Sequence, residues 1–335
     1  MCFIRIFCLL VLLPTLAHGG EPSTDTLVVG SNFAAQDTLD CGQEENGDAK
    51  ECLANLRWEP AAFRVTLEAA ESGCGSLLVR FPSPRPVGNA VNDLVAMEWF
   101  AARDEQGAIC TAPAIVVVHE SGRRMTVGRI VARGLNAAGF HAFLLHLPGF
   151  GARRVEPIEK DRVFAAMLQS IADVRRARDA AISLPAIDPS VIGVQGTSLG
   201  GFVVATTAGL DRGYDRVFIF LAGGDLQEVI LRGSRDAAKL HAKLAAAGIT
   251  DDQIKESVQR IEPLRLAHRI DPAKTWLYSG QFDDVVPARC SLALAKTAML
   301  ADDHHIRFPA DHYSGVVYLP QLVEQVGQHM LRQPE

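Results

Sequence analysis

The chain contains a serine, an aspartate and a histidine that could together perform nucleophilic catalysis. They are Ser198, Asp283 and His312, in this order along the sequence. A serine hydroxyl attacks a carbonyl carbon only when a base removes its proton, and histidine titrates in the right range to do so. A carboxylate beside the histidine orients the ring and stabilises the imidazolium that forms. This chemistry requires a fold that brings the three side chains together.

Ser198 lies in the segment VIGVQGTSLGGFVV, where Gly196 and Gly200 complete a G-x-S-x-G motif. The apolar run before the motif predicts a strand, and the small apolar residues after it predict a helix. Glycines allow a strained strand-to-helix turn that holds the serine hydroxyl above a sheet. A chain with 28 glycines can also match the motif by chance, as an ordinary tight turn. The strand-turn-helix context favours Ser198 as a nucleophile.

Candidates for the other two roles follow later predicted strands. Asp283 and Asp284 come after the strand WLYSG. We predict that Asp283 partners the histidine and that Asp284 caps the next helix. His312 follows the short strand HIRFP and is the predicted base, whereas His304 and His305 precede that strand and would lie at the wrong end of the sheet.

The segment VVVHESGR ends the first buried parallel strand and is a candidate oxyanion loop. A loop at this position can supply one backbone N–H group to a developing oxyanion, and the residue after the nucleophile supplies another. We predict these donors to be Ser121 or its neighbour Glu120, together with Leu199. His119 is interpreted as a structural residue that braces the loop.

The side chain of Glu120 leaves two interpretations open. A carboxylate near the pocket could hold a cationic group of a substrate. It could instead form a salt bridge with Arg123 or Arg124, which follow in the sequence. The residue types alone favour neither.

The elements that must position these residues follow a regular order. FRVTLEA and SLLVRFP alternate in polarity and predict an antiparallel hairpin, and NDLVAMEWFAAR predicts a helix capped by Asn92 or Asp93. From Ala114 onward, continuous apolar runs alternate with helical patterns. A helical insertion over about 224–269 is either a lid or ordinary packing at the sheet edge. The predicted fold class is α/β, a mostly parallel doubly wound sheet with an antiparallel N-terminal hairpin, which binds ligands at the carboxyl ends of its strands.

The N-terminus has the pattern of a secretory signal peptide: Arg5, an apolar run over 6–13, and small residues around Ala17 and Gly19. The apolar run is too short to span a bilayer comfortably. We therefore predict a cleavable leader over 1–19, a secreted or periplasmic protein, and no stable membrane anchor.

The remaining chain divides into a polar segment and one domain. Residues 20–56 show no clear period and predict a loosely structured extension, and we predict one α/β domain over 57–335. An exported chain can form disulfides, and the nearest pair in sequence is the most plausible one, Cys41 with Cys52. An odd number of cysteines follows the leader, so at least one thiol stays free or pairs between chains: Cys41, Cys52, Cys74, Cys110 and Cys290.

Composition excludes several classes of protein. The chain is 48% hydrophobic and 21% charged, which is typical of a globular protein rather than a disordered one. A formal net charge of −6 argues against a nucleic-acid-binding protein, which normally carries a basic face. The scattered cysteines do not suggest a zinc site.

Taken together, HESG, LPGFG, GTSLGG, GQFDDVVP and DHYSG, in this order and in this strand context, resemble the α/β-hydrolase superfamily over about residues 76–332. The H-E pair and the G-x-x-D-x-x-V-P spacing look most like its dienelactone-hydrolase and acyl-peptidase branches. Glu120 stands in place of the second residue of the usual His-Gly oxyanion loop, and DHYSG stands where a Gly-His pair is commoner.

The resemblance implies Ser198 as nucleophile, His312 as general base and then acid, and Asp283 as its orienting residue. It implies hydrolysis without a metal or organic cofactor, most plausibly of a small-molecule or polymer-borne carboxylic ester. A peptidase or amidase with the same triad and a non-catalytic binding protein on the same scaffold are the alternatives. The sequence leaves the oligomeric state open.

Overall fold

A computed structural model describes residues 27–155 and 163–332, in which ten strands form a single sheet. The strands are β1 (Asn32–Gln36), β2 (Ala62–Ala69), β3 (Leu77–Pro82), β4 (Leu94–Phe100), β5 (Ala112–Val118), β6 (His141–His146), β7 (Ile187–Thr197), β8 (Arg216–Phe220), β9 (Thr275–Gly280) and β10 (His305–Phe308).

The helices in that part of the chain connect and cover these strands. They are α1 (Gly47–Leu56), α2 (Ala90–Asp93), α3 (Thr126–Ala137), α4 (Val163–Ile182), α5 (Leu199–Asp211), α6 (Leu226–Arg232), α7 (Arg235–Ala246), α8 (Asp251–Gln259), α9 (Pro263–Leu266), α10 (Ala288–Thr297) and α11 (Leu319–Leu331). No helix within 27–155 and 163–332 is both long enough and apolar enough to cross a membrane.

The sheet is antiparallel at its N-terminal edge and parallel elsewhere. Its strand order is β1-β2-β3-β4-β6-β5-β7-β8-β9-β10. Pairs from β1 to β6 along this order are antiparallel, and pairs from β6 to β10 are parallel. The predicted hairpin corresponds to β2 and β3, and the prediction of a mostly parallel sheet with an antiparallel start is confirmed.

Helices cover both faces of the central strands, which explains the continuous apolar runs in the sequence. On β5, Val116 and Val118 face the core that includes Val174 of α4 and Val203 of α5. The intervening residues Ile115 and Val117 face the opposite core, which α3 and α11 complete. A strand buried on both faces has no polar positions to alternate with apolar ones.

The prediction of a loosely structured extension over 20–56 is wrong for the residues of β1 and α1. β1 pairs with β2, and α1 buries Cys52, Leu53 and Leu56. The side chain of Asn46 accepts hydrogen bonds from the first backbone N–H groups of α1 and so caps the helix. The predicted leader, 1–19, lies outside the described residues.

NDLVAMEWFAAR was predicted to be a helix and is instead mainly the strand β4. Only the short α2 precedes it, with Asn89 rather than Asn92 or Asp93 as the N-cap. β4 pairs with both β3 and β6. Glu98, which in the sequence looks like a residue on the polar face of a helix, is buried and paired with Arg129 and His146. A buried ion-paired carboxylate gave this strand the appearance of an amphipathic helix.

The predicted Cys41–Cys52 disulfide is also wrong, because both cysteines are free in the structure. Cys52 lies on α1, and its Sγ is 3.7 Å from the carbonyl oxygen of Arg260. Cys41 and Cys52 are close in sequence but do not form a disulfide, because α1 directs Cys52 toward the helical insertion.

Candidate active site

Ser198 occupies a sharp turn between β7 and α5. Its backbone has φ 53° and ψ −112°, a conformation that is strained for a residue with a side chain. The turn is possible because its glycines lack side chains: a Cβ on Gly200 would overlap the carbonyl oxygen of Val118, and a Cβ on Gly196 would overlap that of Gly200. The close approach of β5, β7 and α5 thus holds the serine hydroxyl at the end of the sheet.

The structure brings Ser198, His312 and Asp283 into one hydrogen-bonded chain. Ser198 Oγ lies 2.9 Å from His312 Nε2. On the other side of the ring, His312 Nδ1 lies 2.7 Å from Asp283 Oδ2. The side chains of His312 and Asp283 are buried, which limits competition from water for these hydrogen bonds. The catalytic roles of the three residues stay predictions.

Between the two candidate carboxylates, the structure places Asp283 beside the histidine. Its other oxygen, Oδ1, accepts the backbone N–H groups of Val285 and Val286 at 3.0 and 2.8 Å. Asp284 is half exposed and lies 3.7 Å from Arg235. The expectation that Asp284 caps the next helix is wrong, because α10 begins after Pro287 without a side-chain cap.

His304 and His305 lie at the start of β10, away from Ser198. The Nδ1 atom of His304 is 2.9 Å from the carbonyl oxygen of Thr275, the first residue of β9. Because β9 and β10 are parallel, these histidines lie where the two strands begin, whereas Asp283 and His312 follow their carboxyl ends.

His119 braces the loop after β5 from a fully buried position. Its Nδ1 lies 2.5 Å from the carbonyl oxygen of Glu120, and its Nε2 accepts the backbone N–H of Leu147 at 3.1 Å. Burial lowers the pKa of His119 to about 3, so the ring is neutral with its proton on Nδ1. A ring held by two backbone contacts is suited to fixing the loop rather than to proton transfer.

The carboxylate of Glu120 caps helix α3. Its two oxygens accept the N–H groups of Val127 and Gly128 at 3.2 and 3.0 Å. Met125, at the N-cap position, has no side-chain hydrogen bond of its own. Glu120 therefore satisfies the first turn of α3, a role that the sequence analysis did not consider.

The predicted oxyanion residues are the neighbour of Ser198 in sequence and two residues that line the same cavity. Leu199 is the first residue of α5, so its N–H group has no acceptor within the helix. Glu120 and Ser121 line a cavity of about 410 Å³ together with Ser198 and His312. Their action as oxyanion donors stays a prediction.

A scan against protein-family models finds no match, and a search of curated proteins finds no similar sequence. Solved structures do resemble the protein. An acetyl xylan esterase from Paenibacillus sp. R4 aligns over 88% of this chain and 98% of its own, with a TM-score of 0.59 and 16% identity. A puromycin-hydrolyzing peptidase from Mycobacterium tuberculosis aligns over 82% of this chain with a TM-score of 0.57 and 16% identity. A 2,6-dihydroxy-pseudo-oxynicotine hydrolase aligns over 71% of this chain with a TM-score of 0.53 and 16% identity. The chain has the α/β-hydrolase fold.

Coverage of these similar structures is unequal. This chain spans 46% of the length of the peptidase and 65% of the pseudo-oxynicotine hydrolase, but nearly all of the acetyl xylan esterase. At this level of identity the likeness concerns the fold. The site must therefore be interpreted from its own residues.

The helical insertion of this α/β-hydrolase fold contributes a wall of the cavity. Leu240 and Lys243 of α7 line it, and the first turn of α7 contacts the loop that carries the histidine. Tyr313 donates its hydroxyl to Asp236 at 2.8 Å, and the guanidinium of Arg235 lies over the Tyr313 ring. Sequence reasoning missed this contact, because no local pattern links two segments so far apart.

No group of three or more His, Cys, Asp or Glu side chains within 27–155 and 163–332 is arranged to hold a metal ion. The polar residues that line the cavity include Ser198 and His312 of the hydrogen-bonded chain, and Glu120 and Ser121 of the loop after β5.

Proposed function

We propose that the protein is a serine hydrolase that cleaves carboxylic esters through an acyl-enzyme. The observation that carries this proposal is the continuous hydrogen-bonded chain from Ser198 Oγ through both ring nitrogens of His312 to Asp283. A base aligned on a hydroxyl, with a carboxylate fixing its tautomer, is the arrangement that activates a serine nucleophile.

In the first half of the reaction, Ser198 Oγ forms a bond to the ester carbonyl carbon as His312 Nε2 takes the hydroxyl proton. The carbonyl oxygen becomes an oxyanion, which the N–H groups of Leu199 and of the Ser121 region stabilise. Collapse of this intermediate breaks the bond to the alcohol oxygen. His312 gives its proton to that oxygen, and the alcohol leaves.

In the second half, water attacks the acyl-enzyme and His312 Nε2 takes a proton from it. The bond between the acyl carbon and Ser198 Oγ then breaks, the proton returns to Oγ, and the carboxylic acid leaves. Asp283 stabilises the imidazolium in both halves and keeps the proton of neutral His312 on Nδ1.

The test is hydrolysis of p-nitrophenyl esters by the purified protein, with Ser198→Ala as the inactive variant. We expect the substitution to lower kcat by about 10³-fold or more. Ser190→Ala is the matched control, since Ser190 is exposed near the start of the same strand, β7. No hydrolysis by the wild type, or full activity of Ser198→Ala, would overturn the proposal.

Esters and amides of one acyl group separate esterase from peptidase or amidase activity. We expect the ratio of ester to anilide cleavage rates, for a p-nitrophenyl ester and the matching p-nitroanilide, to be larger with the enzyme than in the uncatalysed reactions. Preferential cleavage of the anilide would instead support the peptidase alternative.

We also propose that the protein is exported, on the strength of Arg5, the apolar run over 6–13 and the small residues near Ala17 and Gly19. N-terminal sequencing of protein recovered outside the cytoplasm should find a chain that starts after Ala17 or Gly19. Recovery only of a cytoplasmic chain that starts at Met1 would contradict export.

A further inference from the structure

A second, larger cavity adjoins the first one at the predicted oxyanion residues. The cavity that contains Ser198 and His312 has a volume of about 410 Å³, and the second has a volume of about 890 Å³. Ser121, Leu240 and Lys243 line both. Leu199 lines only the second of the two cavities. The two cavities therefore meet beside the point where a substrate carbonyl would lie.

The second cavity has a mainly apolar wall. Side chains from the loop after β6 and from α4, α5 and α7 contribute to it, including Leu147, Phe150, Met167, Leu199 and Leu244. Ligand sites with this lining and size hold apolar groups.

Two amide side chains on the wall of the second cavity, those of Asn92 and Gln169, have hydrogen-bond partners within the protein. Asn92 donates to Gln169 at 2.6 Å, and Gln169 donates to Asp93 at 2.9 Å. These amides hold the wall together and are not positioned to demand a polar ligand.

The position of His312 assigns one side of an ester to each cavity. Because His312 must protonate the departing alcohol oxygen, the alcohol has to leave on the side of the carbonyl that His312 occupies. His312 and Tyr313 line the smaller cavity and do not line the larger one. The acyl group then extends past Leu199, into the larger cavity.

We propose that this larger cavity is the acyl-binding subsite and that the protein prefers esters of extended apolar acids to acetyl esters. This inference rests on the proposed ester hydrolysis. Each methylene group of the acyl chain that moves from water into this subsite should raise kcat/KM by about fourfold until the cavity is filled.

The test compares p-nitrophenyl acetate with p-nitrophenyl octanoate in variants that fill one cavity at a time. Ala166→Trp on α4 fills the larger cavity, and Val316→Trp fills the smaller one. Ala166→Trp should lower kcat/KM for the octanoate at least tenfold and change that for the acetate less than threefold. Val316→Trp should affect the two esters equally, because both carry the same alcohol.

A second wall variant, Ala246→Trp at the exposed end of α7, covers the case in which Ala166→Trp does not fold. Thermal unfolding of each variant separates misfolding from blocked binding. A wild type that prefers acetate, or an equal loss for both esters in folded Ala166→Trp and Ala246→Trp, would overturn the acyl subsite. Absence of turnover with every ester would instead contradict the proposed function itself.

Discussion

Asp283 divides its two carboxylate oxygens between His312 and its own turn. Oδ2 lies 2.7 Å from Nδ1 of His312, while Oδ1 accepts two backbone N–H groups from the residues that follow. The backbone therefore fixes which oxygen faces the histidine. Replacing the one oxygen of Asp283 that faces His312 should therefore change the hydrogen bond at His312 Nδ1.

Asp283→Asn should disable the site without changing its shape. The amide oxygen is expected to stay on the backbone N–H groups, which turns the NH₂ group toward His312 Nδ1. The ring must then carry its proton on Nε2 and cannot accept one from Ser198. We expect kcat to fall by about 10⁴-fold. Ester turnover by Asp284→Asn is the control, since Asp284 is half exposed, and it should change less than threefold. Equal losses in the two variants would contradict the assignment.

Glu120→Ala should destabilise the loop and helix that Glu120 joins. Loss of the cap on Val127 and Gly128 should lower the free energy of unfolding by about 1 kcal/mol. Glu120→Gln keeps one acceptor oxygen and should lose less. Urea unfolding measures both, with Glu105→Ala in an exposed turn as the control. An unchanged midpoint for Glu120→Ala would show that the carboxylate does not cap α3.

His119 should make the folded state sensitive to acid. Burial lowers its pKa to about 3 in the folded protein, from an ordinary value of 6.5. Between about pH 3 and pH 6.5, the His119 side chain therefore binds a proton in the unfolded chain but not in the folded chain. The contribution of His119 to stability is fully present above pH 6.5 and is lost as the pH falls toward 3.

His119→Gln should remove this part of the pH dependence. The slope of unfolding free energy against pH should become shallower by about 1.4 kcal/mol per pH unit between pH 6 and 4.5. Urea midpoints measured across that range give the slope. His241→Gln on α7, where the ring is 33% exposed and lies 2.8 Å from Asp251, serves as the comparison. An unaltered slope in His119→Gln would mean that His119 takes up a proton in the folded state.

Gly200→Ala should disrupt the turn that carries Ser198. An added Cβ would overlap the carbonyl oxygens of Val118 and His119, which are backbone atoms and cannot rotate away. We expect a loss of about 2–3 kcal/mol in unfolding free energy and a larger loss of ester turnover. Gly47→Ala is the matched control, because a Cβ at Gly47 meets open space. Wild-type stability in Gly200→Ala would contradict the close packing of β5 against α5.

The fold and the placement of Ser198, Asp283 and His312 could be predicted because each depends on local signals. Strands buried on both faces appear as continuous apolar runs, and the carboxyl ends of parallel strands meet at one edge of the sheet. A polar residue just after such a run is therefore placed near the others without knowledge of any contact.

Features that depend on distant partners could not be predicted in this way. Glu98 made β4 look helical, because its partners Arg129 and His146 come later in the chain. The contact between Asp236 and Tyr313 joins the insertion to the histidine loop with no shared pattern. The sequence left two roles open for Glu120, holding a cationic group of a substrate or pairing with an arginine. The helix cap that it forms at Val127, seven residues later, has no signature in the residues between.

The most direct test of the account is to label the protein with a fluorophosphonate and locate the adduct by peptide mass mapping. We predict one adduct, on Ser198 of the wild type, absent from Ser198→Ala and formed far more slowly in His312→Ala. Labelling that persists in Ser198→Ala, a wild type that does not react at all, or equal rates of labelling in His312→Ala and the wild type would contradict the claim that His312 activates Ser198.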